Sequence, residues 1–182
     1  MKKYLVLAGN IGAGKSTLVS LLSKKLGYAP YFEPVAENPF LKDFYADMKR
    51  WAFHSQVFFL TSRAKAHRRL AGDPRSVVQD RSLYLQGAMD EEEWATYLEL
   101  YQTIASILPP PDLVIYIRSS VETLKNHIAK RARDFETTIP EPYLQGLNRL
   151  YEEWIQGFTL APVLTIPGDR FDFVEDSRDL AA

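Results

Sequence analysis

The chain contains no cysteine, which excludes disulfides and thiolate metal sites. No apolar stretch is long enough to span a bilayer. Neither sign of charge is in excess: 22 Lys and Arg stand against 23 Asp and Glu, for a formal net charge of −1, so no global basic field points to nucleic acid. There is no signal-peptide layout, because the N-terminus runs straight into an apolar segment. Repeats, low-complexity tracts and linkers are also absent. What remains is 182 residues, 46% hydrophobic and 25% charged, which suits one domain over 1–182 with a substantial core. The expected location is the cytoplasm.

Glycine is scarce too, yet three of the nine fall within six positions. The stretch is GNIGAGKST, Gly9 to Thr17, which fits G-x-x-x-x-G-K-[ST]. YLVLA before it reads as a buried strand and KSTLVSLLSKKL after it as a helix. Strand, glycine loop and helix N-terminus together make a phosphate cradle, with inward-pointing N–H groups and a favourable dipole. The cradle residues are Gly9, Asn10, Ile11, Gly12, Ala13, Gly14, Lys15, Ser16 and Thr17. Lys15 reaches the β- and γ-phosphates and Ser16 ligates Mg²⁺. The chain is therefore expected to bind a nucleoside triphosphate.

Further strands are expected at Ser76–Asp80, Asp112–Arg118 and Pro162–Ile166, with a weaker one around Tyr31. They are short apolar runs, as in a parallel sheet buried on both faces. Helices alternate with them. One is expected to start with Asn38 as N-cap and Pro39 in its first turn. A long one runs from Trp51 to about Gly72. Others start near Glu91, after Ser119 and after Pro140. The expectation is an α/β fold with a parallel sheet of about five strands flanked by helices.

In such folds ligands gather beyond the carboxyl ends of the strands, and the charged residues there have two readings each. Glu33 is a general base on an alcohol or a solvated loop residue. Asp80 supports Mg²⁺ and Arg81 neutralises a transferring phosphoryl group, or the two form a surface ion pair. The run Lys130–Glu136 is a mobile lid whose arginines close over phosphates, or a solvated helix end. Gln56 and Arg63, seven apart on one helical face among Phe53, Phe58 and Phe59, read a nucleobase edge or belong to an ordinary core helix.

Taken in order, GNIGAGKST, EPV at Glu33, NPFLKDFY, WAFHSQ with Arg63 following, QDRS, RARDFE and PVLTI resemble the deoxyribonucleoside kinases, particularly the bacterial deoxyadenosine/deoxyguanosine kinase branch. The resemblance runs from Tyr4 to about Val174 and implies a P-loop kinase fold with a lid over about 130–138. It implies γ-phosphate transfer from ATP with Mg²⁺ to the 5′-hydroxyl of a deoxynucleoside, purine favoured, for nucleotide salvage, by a homodimer without nucleic-acid or membrane partners. It makes Glu33 the base, places Arg81 by the 5′-hydroxyl, Asp80 on Mg²⁺, and Tyr45 and Glu136 on the 3′-hydroxyl. Gln56 reads the base edge, Arg63 lies by the far side of the base, and Arg131 and Arg133 are lid arginines on the phosphates. Two departures stand out. His127 occupies a position where the family usually carries an arginine. After Ser82 the chain runs about ten residues short of the family pattern; the expectation is a segment absent from view rather than deleted, because deletion would leave Arg63 unpaired. A helix after Leu180 is expected to be missing for the same reason. The competing readings are a nucleoside monophosphate kinase such as a thymidylate kinase, and a non-catalytic P-loop module.

Overall fold

A computed structural model describes residues 2–81, 88–133, 136 and 139–171, the side chains of Ala71 and Arg81 excepted. Five strands form one sheet: β1 (Tyr4–Gly9), β2 (Ala29–Tyr31), β3 (Val77–Arg81), β4 (Leu113–Arg118) and β5 (Val163–Pro167). Their order is β2-β3-β1-β4-β5 and every pair is parallel. β1 is central: Leu7 pairs with Asp80 on one side and Ile115 on the other.

Successive residues of β1 serve opposite faces. Leu7 joins Val78, Ile115 and Ile117 in a buried cluster with Leu18, Val19 and Leu124, which belong to the helices α1 (Lys15–Leu26) and α5 (Val121–Arg131). Val6 and Ala8 join Val114 and Tyr116 against Tyr151 of α6 (Glu141–Gly157). The sheet is therefore covered on both sides, which explains its unalternating apolar strands. A third cluster joins α2 (Leu41–Ala46), α3 (Met48–Gly72) and α6 through Leu41, Phe44, Ala52, Phe59, Tyr143 and Leu147. The remaining helix, α4 (Glu91–Ser106), starts at a capping box made by Asp90 and Glu93.

Two boundaries differ from expectation. Asn38 does not cap α2: the helix starts at Leu41 with Phe40 as its N-cap, and the Asn38 side chain instead accepts from Phe40 N at 3.0 Å. An Asx turn competes locally with helix at such residues. α3 starts at Met48 rather than Trp51, because Asp47 leaves helical geometry and its side chain accepts from Arg50 N. The segment expected to be short after Ser82 falls on 82–87, and the C-terminal helix falls beyond 171; both lie outside the described residues.

Candidate active site

Gly14 caps α1 in the left-handed region at φ 87°, with no side-chain cap and no acidic residue in the first turn. The first N–H groups of the helix are thus left for an anion. Gly12, at φ +83°, lies so close to α5 that a Cβ would stand 2.7 Å from Leu124 O. Its carbonyl accepts from His127 Nδ1 at 2.8 Å, and because a carbonyl only accepts, that nitrogen carries the proton. His127 therefore docks α5 on the loop. Lys15 is buried at 7% exposure, its ammonium donating to Asn10 O at 2.9 Å.

β3 delivers Asp80 beside the cradle, where Ser16 Oγ donates to its Oδ2 at 2.7 Å. Its Oδ1 is buried without a partner. Burial pushes the Asp80 carboxyl up from its ordinary value, against the pull of Lys15. An orphaned carboxylate oxygen next to a serine hydroxyl beside a phosphate loop is an oxygen donor set that fits Mg²⁺.

One cavity of about 240 Å³ is lined by the cradle residues Ile11, Gly12, Lys15 and Ser16 together with Glu33, Tyr45, Asp80, Arg131, Arg133 and Glu136. The structure thus brings most of the expected residues to one place. Burial first, and the Glu136 carboxylate second, push the Tyr45 phenol up, so it stays protonated and able to donate. Glu136 is 3% exposed. Its Oε2 accepts from Arg131 Nε at 2.9 Å and from Arg131 Nη2, and its Oε1 from Arg133 Nη1 at 3.2 Å.

Arg63 has a buried carboxylate partner. It is not unpaired: Nε and Nη2 donate to Glu33 Oε1 at 2.9 and 2.6 Å, with both side chains buried. The two side chains are 8% and 2% exposed, so the pair is made almost out of solvent. Gln56, one face with Arg63, is 2% exposed and neither of its amide atoms has a partner, but it does not line the cavity. Gly9, Asn10, Ala13 and Gly14 do not line the cavity; Thr17 is half-buried in the first turn of α1. Arg81 closes β3, and its side chain is not described, nor are the lid residues 134, 135, 137 and 138.

Several contributors carried no sequence signal. Phe32 stands 43% exposed at the rim of the cavity. A second cavity of about 520 Å³ opens beyond the cradle between α5, including His127 and Lys130, and the turn after β5 at Asp169 and Phe171.

A parallel sheet, a P-loop at the end of its central strand and a neighbouring cavity lined by three acidic and three basic side chains have the architecture of a P-loop phosphotransferase. The deoxynucleoside kinase family model matches residues 5–181. The chain is 33% identical over 189 residues to a deoxyadenosine/deoxycytidine kinase of Bacillus subtilis, covering 97% of this chain and 87% of that protein. It is 37% identical over 194 residues to a deoxyguanosine kinase of Lactobacillus johnsonii, covering 96% and 86%. Its fold superposes on deoxyadenosine kinase from M. mycoides with products dCMP and a flexible dCDP bound, at a TM-score of 0.83 and 33% identity over 93% of this chain and 92% of that one. The same enzyme with bound dATP gives 0.81 and 32%, at the same coverage. The chain belongs to the deoxynucleoside kinase family and is, as such, an ATP-dependent enzyme that phosphorylates a deoxynucleoside.

Proposed function

We propose that this single-domain enzyme moves the γ-phosphate of ATP to the 5′-hydroxyl of a deoxynucleoside, with purines preferred, and supplies nucleotide salvage in the cytoplasm as a homodimer. The observation that carries this reading is the shared cavity, in which the donor cradle of Lys15 and Ser16 faces Glu33 across the space that Tyr45 and Glu136 border. The preference for purines rests on relatives named deoxyadenosine and deoxyguanosine kinases.

In this reading the P-loop N–H groups and Lys15 hold the donor phosphates, and the cavity beyond His127 takes the donor's nucleoside end. Ser16 and Asp80 would hold Mg²⁺, which would supply neutralising charge to the phosphates. Glu33 accepts the 5′-hydroxyl proton as the hydroxyl oxygen bonds to the γ-phosphorus and the bond to the leaving ADP oxygen breaks. Arg63 fixes the angle of that carboxylate, which matters in a loose transition state where positioning dominates. Arg81, Arg131 and Arg133 offset developing negative charge. Tyr45 and Glu136 bind the 3′-hydroxyl, and the unpartnered Gln56 amide offers a donor and an acceptor to a base edge. The lid spans about 130–138. For dimerisation the support is α4, which buries no side chain in the single chain and exposes Leu100 at 36%, with Ile107 just beyond it at 77%. Among the described residues no helix is long and apolar enough to cross a membrane.

The test is product analysis with Mg-ATP and each deoxynucleoside, beside the corresponding monophosphates. The expected product is a 5′-monophosphate, formed fastest from a deoxypurine nucleoside. Phosphorylation of monophosphates alone would overturn the reading in favour of a monophosphate kinase, and ATP binding without any acceptor turnover would leave only a nucleotide-binding module.

A further inference from the structure

The P-loop is held from two sides. α5 holds it through His127 and the Gly12 carbonyl, as described. α6 holds it through Asn10, which is 3% exposed. Both amide hydrogens of Asn10 are used: Nδ2 donates to Leu144 O at 2.9 Å and to Asn148 Oδ1 at 2.8 Å. Its Oδ1 accepts from Ile11 N at 2.7 Å, and its main-chain oxygen is the acceptor for Lys15 Nζ and for Ala13 N. One residue thus ties the lysine, the turn of the loop and a helix together.

Asn148 is the far end of this tie. Its Nδ2 donates to Ser119 O at 3.0 Å, just past the carboxyl end of β4. One turn on, Glu152 accepts from Tyr116 Oη and from Arg118 at 2.8–2.9 Å. Leu144, Asn148 and Glu152 are four apart and share a face, so α6 seats a polar stripe along the end of β4 and the loop. The same helix begins at Glu141, directly after the lid, and Ile139 N bonds back to Glu136 O at 3.2 Å. The loop therefore rests on α6 as well as on α5.

We propose that Asn148 is a positioning residue for the P-loop: by fixing the Asn10 amide it sets the Asn10 carbonyl and the turn that aim Lys15 and the loop N–H groups at the donor phosphates. The inference rests on the P-loop as the donor site and goes beyond it in assigning a residue of α6 to donor binding. Without Asn148 one Asn10 hydrogen is left unpartnered in a buried place. The loop then relaxes to satisfy it, and the donor must draw the loop back.

The test compares Asn148→Leu, close in size but unable to hydrogen-bond, Asn10→Ala, and the Asn10→Ala/Asn148→Leu pair. Mg-ATP affinity is measured by calorimetry without an acceptor, and kcat and deoxynucleoside KM by steady-state assay. Loss of one neutral hydrogen bond of this kind is worth up to about tenfold. N148L is therefore expected to weaken Mg-ATP binding and lower kcat by about tenfold, with deoxynucleoside KM within about twofold. The double variant is no worse than N10A. Should N148L not fold, Asn148→Ser, too short to reach Asn10, carries the same expectation. Normal Mg-ATP affinity in N148L or N148S, or losses that add in the double variant, overturns the proposal. Because calorimetry needs no acceptor, a wild-type protein that binds Mg-ATP but phosphorylates no deoxynucleoside sinks the proposed function and leaves this test standing.

Discussion

Replacing Arg63 with methionine takes from the buried Glu33 carboxylate the fork that holds it. The Glu33 side chain is 2% exposed and that of Arg63 8%, so neither charge has water to fall back on. Removing one partner of such a buried pair costs about 3–5 kcal/mol, whereas replacing both with apolar residues of similar size is close to neutral. For a domain of this length that corresponds to a fall in Tm of roughly 6–20 °C. The assay is denaturant and thermal unfolding of the ligand-free protein at pH 7 for Arg63→Met, Glu33→Met and the double variant. Arg63→Met is expected to lose about 3–5 kcal/mol and the double variant clearly less than the two single losses combined. A loss below about 1 kcal/mol in Arg63→Met, or simple additivity, would refute the idea that this pair is electrostatically coupled and desolvated. The same variant should also lower kcat, because the base loses the fork that aims it.

Asp80→Asn should separate stability from activity. Burial raises the Asp80 carboxyl, so the folded state favours the protonated form, and its stability falls as pH rises from the unfolded value of about 3.9 towards the raised folded one. The ligand-free variant is therefore expected to melt higher than wild type at pH 7, the gap closing as pH approaches 4, while phosphotransfer with Mg-ATP collapses; a gap that widens on acidification contradicts the sign. Gly12→Ala forces a side chain into the left-handed region and against Leu124 O. It should cost at least about 1–2 kcal/mol from the backbone conformation alone and weaken Mg-ATP binding measured by calorimetry; an unchanged Tm and affinity would show that α5 does not bear on the loop.

Much of this was legible in the sequence because it is encoded locally. α1 was expected over Lys15–Leu26 and is found there, and the β1, β3, β4 and β5 segments lie within a residue of their apolar runs. The weak segment around Tyr31 proved to be a strand of only three residues, Ala29–Tyr31. At the cavity Lys15, Ser16, Glu33 and Asp80 stand out by motif or by position at a strand end. What escaped was encoded by packing. Nothing near Arg63 in sequence points to Glu33, thirty residues away. Asn148 is an unremarked asparagine in an amphipathic helix until α6 lies across β4. Asn38 looked like a helix cap because asparagine favours caps and turns for one and the same chemical reason, and the following residues decided for the turn.

The placement of β1 has a consequence for the newborn chain. The central strand is made before both of its neighbours, residues 77–81 and 113–117. At about 5–20 residues per second, roughly 5–20 s pass between synthesis of Gly9 and of the start of β4. During that interval YLVLAG has an open edge and apolar side chains on both faces, the kind of segment that invites chaperones or misassociation. The P-loop hangs from the end of this waiting strand, and its clamps at His127 and Asn148 are made later still. A chain that stops short of α6 therefore carries the whole phosphate motif without the scaffold that shapes it.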